Sequence, residues 1–355
     1  MARWPTAWAW AGYGPDEPGP DGPRPPAGWG GDMRRLAVTF IHGVEVTDPD
    51  YARRASDLLA EEFEAATGVP ADDALTIVPV FWSGAIEDYP ERLVTHTLTD
   101  GPSPLPRRVA ELVSKVNAGS ESALLALLAL APTRYAPGTG PLRYPTLRWL
   151  VLNLLGDAVA YQVTPSGREL YGAIHATVAT ALTELAERAG PDAPLAVIGH
   201  SLGSVIASNY LYDLEVERGD RAILRAPVRR LVGPTPLERG ATLAFLDTLG
   251  SPLAVWAGRH TDFGVPVTVP APELTRHHPG CPGAWHNVVD PDDVIAYPLE
   301  RLSLAYADVV TDVFTRVGPW WATWNPLCHL WYWNDRRVMR PIARRLADAW
   351  RLVNR

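Results

Sequence analysis

Short apolar runs alternate along this chain with longer segments of helical spacing. Leu36-Ala37-Val38-Thr39-Phe40-Ile41 has the length and composition of a buried strand. Tyr51 to Ala66 carries apolar residues at helical intervals among acids and arginines, and Gly68 stops it. Leu75 to Trp82 reads as a second strand. Leu170 to Ala189 reads as a long helix, Leu195 to Ile198 as a strand, and Leu202 to Leu211 as the helix that follows. Leu243 to Leu249 and Trp285 to Val289 are further strands, and Arg337 to Val353 is a closing helix. Strands alternating with helices predict an α/β fold, a mostly parallel sheet with helices on both faces.

Two stretches break the alternation. Residues 1–32 are rich in Pro, Gly and Trp (Gly14-Pro15-Asp16-Glu17-Pro18-Gly19-Pro20 is typical) and predict an arm without helix or strand. Residues 84–160 form an insertion. A Pro-rich piece, Gly101 to Pro106, precedes two apolar segments, Ser122 to Ala131 and Leu147 to Ala160. A helix that is apolar all round wants burial on every side. Either these helices pack on the body and on each other, or they form a cap or lid whose apolar underside lines a pocket.

Composition narrows the class. The chain has 355 residues and is 47% hydrophobic, ample for a large core. Residues 33–355 are read as one α/β domain carrying the insertion. The net charge of −8 gives no basic footprint for nucleic acid, and Lys115 is the sole lysine. Cys281 and Cys328 are too few for a disulfide framework. The start, Met1-Ala2-Arg3-Trp4-Pro5, lacks the pattern of a secretory signal, so a cytoplasmic location is expected. No apolar run reaches the ~18 residues of a membrane span. Transient contact of a lid with a membrane surface stays open.

The chemistry concentrates around Gly199-His200-Ser201-Leu202-Gly203. An apolar strand runs into Gly-x-Ser-x-Gly, and a helix with small residues (Gly203, Ser204, Ala207, Ser208) follows. This is the pattern of a nucleophile elbow with Ser201 as nucleophile. Side chains at Gly199 or Gly203 would collide with so sharp a turn. The alternative is a glycine-rich turn with an idle serine. A serine hydroxyl needs a base, and the base needs an orienting acid. Asp290, Asp292 and Asp293 follow the strand at Trp285; Asp290 precedes Pro291 as a turn residue does, and Asp292 and Asp293 compete as the acid. Of nine histidines only His329 follows them, in an aromatic stretch. An oxyanion needs two backbone N–H donors. Leu202 and Val44 are expected to supply them, with Gly43 letting the loop after the first strand approach and His42 shaping it. No histidine–carboxylate cluster has metal-ligand spacing, so neither metal nor organic cofactor is implied.

Together these residues resemble the α/β-hydrolase superfamily, and more closely its lipase- and esterase-like bacterial serine hydrolases. The likeness rests on Phe40-Ile41-His42-Gly43, on Gly199-His200-Ser201-Leu202-Gly203-Ser204, on Thr248-Leu249-Gly250-Ser251-Pro252-Leu253, on Trp285 to Asp293, and on His329-Leu330-Trp331-Tyr332-Trp333. It covers about residues 36–350, with residues 84–160 matched only loosely. Leu299 to Pro326 departs from it, being long and Trp-rich. The resemblance points to Asp293 as the acid. It implies a serine hydrolase that cleaves a carboxylic ester or thioester of an apolar acyl group through an acyl-enzyme on Ser201, with a small or lipid-like ester as substrate. An acyltransferase with the same triad, and a non-catalytic scaffold of the same fold, are the alternatives.

Overall fold

A computed structural model of the chain describes residues 33–44, 46, 48–86, 168–219, 223–224 and 226–355, with isolated positions between 108 and 161. The arm at residues 1–32 and nearly all of the 84–160 insertion lie outside the described residues.

Among the described residues six strands form one sheet: β1 (Leu36–Ile41), β2 (Leu75–Ile77), β3 (Leu195–His200), β4 (Leu243–Leu249), β5 (Ala284–Val289) and β6 (Val310–Phe314). Their spatial order is β2-β1-β3-β4-β5-β6, and every pairing is parallel. The main helices are α1 (Arg53–Thr67), α2 (Arg168–Ala189), α3 (Leu202–Arg218) and α4 (Arg336–Val353). The expected α/β architecture is present.

Strand side chains alternate between two cores, as the two-residue period of a pleated strand requires. Leu36, Val38 and Phe40 of β1 join Ala196 and Ile198 of β3 in the core under α1 and α4. Ala37, Ile41, Leu195 and Val197 face the other way, under α2 and α3. Both faces of the central strands are therefore buried, which is why those strands are mostly apolar, with a few buried polar residues such as Thr39, Asp247 and Thr248 among them. On the first face Phe63 of α1 meets Trp350 of α4 edge-on at 6.1 Å between ring centroids. Glu62 of α1 accepts from Arg336 and Arg340 of α4 across the same seam. Gly68 ends α1 in the left-handed conformation, φ 74°, and its N–H bonds back to Glu64.

Two elements differ from the sequence reading. The strand expected over Leu75–Trp82 is regular only to Ile77. Val78 and Val80 still donate to Val38 and Phe40 of β1, and beyond Ile77 the ladder thins to one bridge between Ile41 and Val80; Pro79 falls where the N–H would face the open edge of the sheet, a place proline tolerates. The long segment after Leu299, in which the sequence showed no element, contains β6.

Among the described residues no helix is long and apolar enough to cross a membrane.

Candidate active site

A parallel sheet brings the C-terminal ends of all its strands to one edge, and open α/β sheets use that edge for their sites. Here the loop His42-Gly43-Val44 leaves β1, Ser201 leaves β3, the loop holding Asp293 leaves β5, and His329 follows β6.

Ser201 links β3 directly to α3 with φ 52° and ψ −127°. Such a conformation costs a non-glycine residue about 1–3 kcal/mol and has to be held by its surroundings. Its N–H donates to Leu249 of β4. The flanking glycines have the roles expected of them. A Cβ on Gly199 would lie 2.7 Å from Ser204 Cα, and one on Gly203 would collide with the Ile41 carbonyl oxygen. Behind the turn, the buried Ser204 hydroxyl bonds to the Ser201 carbonyl and contacts Ser251 Oγ at 2.6 Å.

His329 Nε2 lies 3.0 Å from Ser201 Oγ, and its Nδ1 lies 2.8 Å from Asp293 Oδ2. All three residues are buried. Of the two competing aspartates, Asp293 is the one hydrogen-bonded to His329, whereas the Asp292 N–H donates to Asp290 Oδ1, 2.9 Å away. Asp290 is the turn residue; its other carboxylate oxygen accepts from the Val317 N–H, and burial raises its carboxyl above the ordinary value. Burial alone would also raise Asp293. Its bonds from His329, the Ile295 N–H and the Tyr332 hydroxyl outweigh that and hold it below the ordinary carboxylate value.

The other two histidines of the site are held neutral. Burial pushes both His42 and His200 down to about 3. His42 Nδ1 lies 2.7 Å from the Gly43 carbonyl oxygen, and its Nε2 accepts from the Trp82 N–H at 3.2 Å, which places its proton on Nδ1. Trp82 stacks on the same ring, and its indole N–H donates to the His42 carbonyl. His42 is therefore fixed in its loop, away from any proton traffic. His200 Nε2 donates to the His329 carbonyl at 2.9 Å, tying the elbow to the segment that carries the base.

Leu202 opens α3, so its N–H has no acceptor within the helix. The Val44 amide belongs to the loop that touches the serine from the other side: a Cβ on Gly43 would sit 2.7 Å from Ser201 Cβ and 3.3 Å from its Oγ. Both expected donors thus belong to segments in contact with Ser201.

A row of polar side chains supports the acid from below. Thr248, Asn287 and Asp312 are register partners on β4, β5 and β6. Thr248 donates to Asn287 Oδ1, and Asn287 donates to Asp312 and to the Tyr297 carbonyl. Asp312 also accepts the Leu299 and Glu300 N–H groups. The loop that bears Asp293 is thereby anchored to three strands. Gly250, at φ 56°, lies behind Asp293 and His329: a Cβ there would be 3.1 Å from both Asp293 Oδ2 and His329 Nδ1. The sequence reading gave these residues and Tyr332 no role. The signal for Thr248, Gly250 and Asn287 was their place in the Thr248–Leu253 and Trp285–Asp293 segments; Asp312 and Tyr332 lie outside both.

Among the described residues no group of three or more His, Cys, Asp and Glu side chains is placed to hold a metal ion. Both cysteines are free and buried.

No protein-family model matches the chain, and no curated protein matches it. The functional reading therefore rests on the geometry of the site.

Proposed function

We propose that the protein is a serine hydrolase of α/β-hydrolase type that cleaves a carboxylic ester or thioester of an apolar acyl group. The observation that carries this reading is the unbroken hydrogen-bonded chain from Ser201 Oγ through His329 to Asp293, with the serine on a strained strand-to-helix turn. In the proposed reaction His329 Nε2 takes the Ser201 proton as Oγ attacks the acyl carbonyl. The developing oxyanion is bound by the Leu202 and Val44 N–H groups. Asp293 keeps the imidazole turned toward the serine and stabilises its cation without taking the proton. His329 then protonates the leaving group, and water activated by the same histidine releases the acid. The neutral, pinned state of His42 and His200 supports giving the role of base to His329 alone. The preference for an apolar acyl group rests on the apolar composition of the sequence segments Ser122–Ala131 and Leu147–Leu155.

The test is hydrolysis of p-nitrophenyl esters from acetate to palmitate beside Ser201→Ala, with a fluorophosphonate probe for the serine. Activity and labelling that vanish in the variant support the reading, and the optimum chain length sizes the pocket. A native protein that neither hydrolyses any ester nor labels at Ser201 refutes it.

A further inference from the structure

We infer that Tyr332 is a positioning residue for this reaction, its hydroxyl holding Asp293 as the correctly turned anionic partner of His329. The inference rests on the serine-hydrolase reading of the site. The Tyr332 hydroxyl donates to Asp293 Oδ2 at 3.0 Å, the same oxygen that faces His329 Nδ1 at 2.8 Å. The hydroxyl oxygen in turn accepts the Asp290 N–H at 2.9 Å. The phenol therefore has one proton to give and one position in which to give it.

Local geometry explains why it reaches. Pro326–Asn334 is a 3-10 helix. With about three residues per turn, positions three apart lie on one face, so His329 and Tyr332 turn to the same carboxylate. The Tyr332 ring is fully buried, and its Cε2 would lie 2.8 Å from a Cβ on Gly250. Gly250 is the seat that lets the ring in.

The chemical consequence concerns basicity. As Ser201 gives up its proton, His329 becomes an imidazolium whose Nδ1–H points at Oδ2. A second donor on that oxygen makes it a weaker proton acceptor, so the proton stays on the imidazole. It also fixes the carboxylate plane through Oδ2 while the Ile295 N–H fixes Oδ1. Burial, followed by the Asp293 charge, raises the phenol well above its ordinary value, so Tyr332 remains a donor. The other titratable groups that act on Asp293 or on the ring are His200 at the end of β3, Asp290 in the acid's own loop, and Cys328 beside His329.

The test uses the full chain with Tyr332→Phe and reads the downfield proton resonance of the His329–Asp293 hydrogen bond, identified by its loss in Asp293→Asn. In Tyr332→Phe the resonance moves further downfield, because Oδ2 becomes the stronger acceptor. On a p-nitrophenyl ester, kcat falls roughly 10-fold, because a carboxylate no longer fixed at Oδ2 holds the imidazole less firmly against Ser201, with KM within about twofold. The acid limb of kcat/KM moves to higher pH, because the more basic carboxylate favours the imidazolium. A 3-fluorotyrosine at position 332, a stronger donor of nearly the same size, moves the resonance the opposite way and carries the test should the phenylalanine variant fail to fold. A resonance and a kcat that stay at native values in these proteins overturn the inference while native Ser201 still labels. A native Ser201 that does not label sinks the hydrolase reading and this role with it.

Discussion

Gly43 and Ser201 stand so close that a methyl group on the glycine would lie 2.7 Å from the serine Cβ. The two come from loops after different strands, β1 and β3, which are register neighbours in the sheet. Gly43→Ala must therefore push either the loop or the nucleophile aside. A displacement of this kind costs about a hundredfold in kcat when it moves a reacting atom. Hydrolysis of a short p-nitrophenyl ester by a variant whose circular dichroism is native tests it; undiminished turnover would show that the contact is slack.

The strain at Ser201 predicts a separation of stability from activity. Glycine adopts φ 52° without penalty, so Ser201→Gly relieves about 1–3 kcal/mol of strain against roughly 1 kcal/mol of added chain entropy. The glycine variant is expected to be inactive and more stable than the native protein, by about 1 kcal/mol. Ser201→Ala, which keeps the Cβ, is expected to be inactive with little gain. Denaturant midpoints of the three proteins decide, and equal midpoints for Gly and Ala would mean that the turn holds no strain.

The two neighbouring aspartates should answer differently to the same change. Asp293→Asn removes the acceptor of the His329 Nδ1 proton and should lower kcat by roughly 10³–10⁴. Asp292→Asn leaves its backbone bond to Asp290 intact and should stay within about threefold of native. Steady-state kinetics on both variants settles the assignment, and the reverse order of effects would move the acid to Asp292.

Buried neutral histidines set the response to acid. Burial pushes His42, His175 and His200 each down to about 3 from the 6.5 of an unfolded chain. Between those values the unfolded chain binds more protons than the native protein, so stability falls as pH drops through this window, by up to about 1.4 kcal/mol per pH unit for each histidine. Asp293, held low, adds to the loss once the pH falls below 3.8; Asp290, held high, opposes it. Urea midpoints at pH 7, 6 and 5 should decline steadily, and His175→Gln should flatten the slope by one histidine's share. A midpoint independent of pH over this range would contradict three buried neutral imidazoles.

The sheet was legible in the sequence where strands are buried on both faces, because β1, β3 and β4 are mostly apolar runs with only isolated polar residues. β6 was not. As an edge strand it is only half covered, and it carries Asp312 in its middle, a residue that strands disfavour. That carboxylate is retained because it receives the loop after β5 and the Asn287 side chain. Ser201 and its glycines could be read because the turn imposes a steric rule on three positions of one short segment. From the residues alone Asp293 and Asp292 could not be told apart, since adjacent turn residues differ only in direction; only the resemblance favoured Asp293. Tyr332 was hidden because a spacing of three is informative only once the segment is known to be a 3-10 helix.

The placement of β6 has a consequence for how the protein would fail. The carboxylate that orients His329 is fastened, through Asn287 and Asp312, to the outermost strand of the sheet, which is paired on one side only. The rim of a sheet is where opening is cheapest. Fraying there would let go of the Asp293 carboxylate while the sheet centre, covered by helices on both faces, stayed intact, so mild heat or denaturant should silence the molecule well before it melts. Durability of the working site is thus set by its least sheltered border and not by its core.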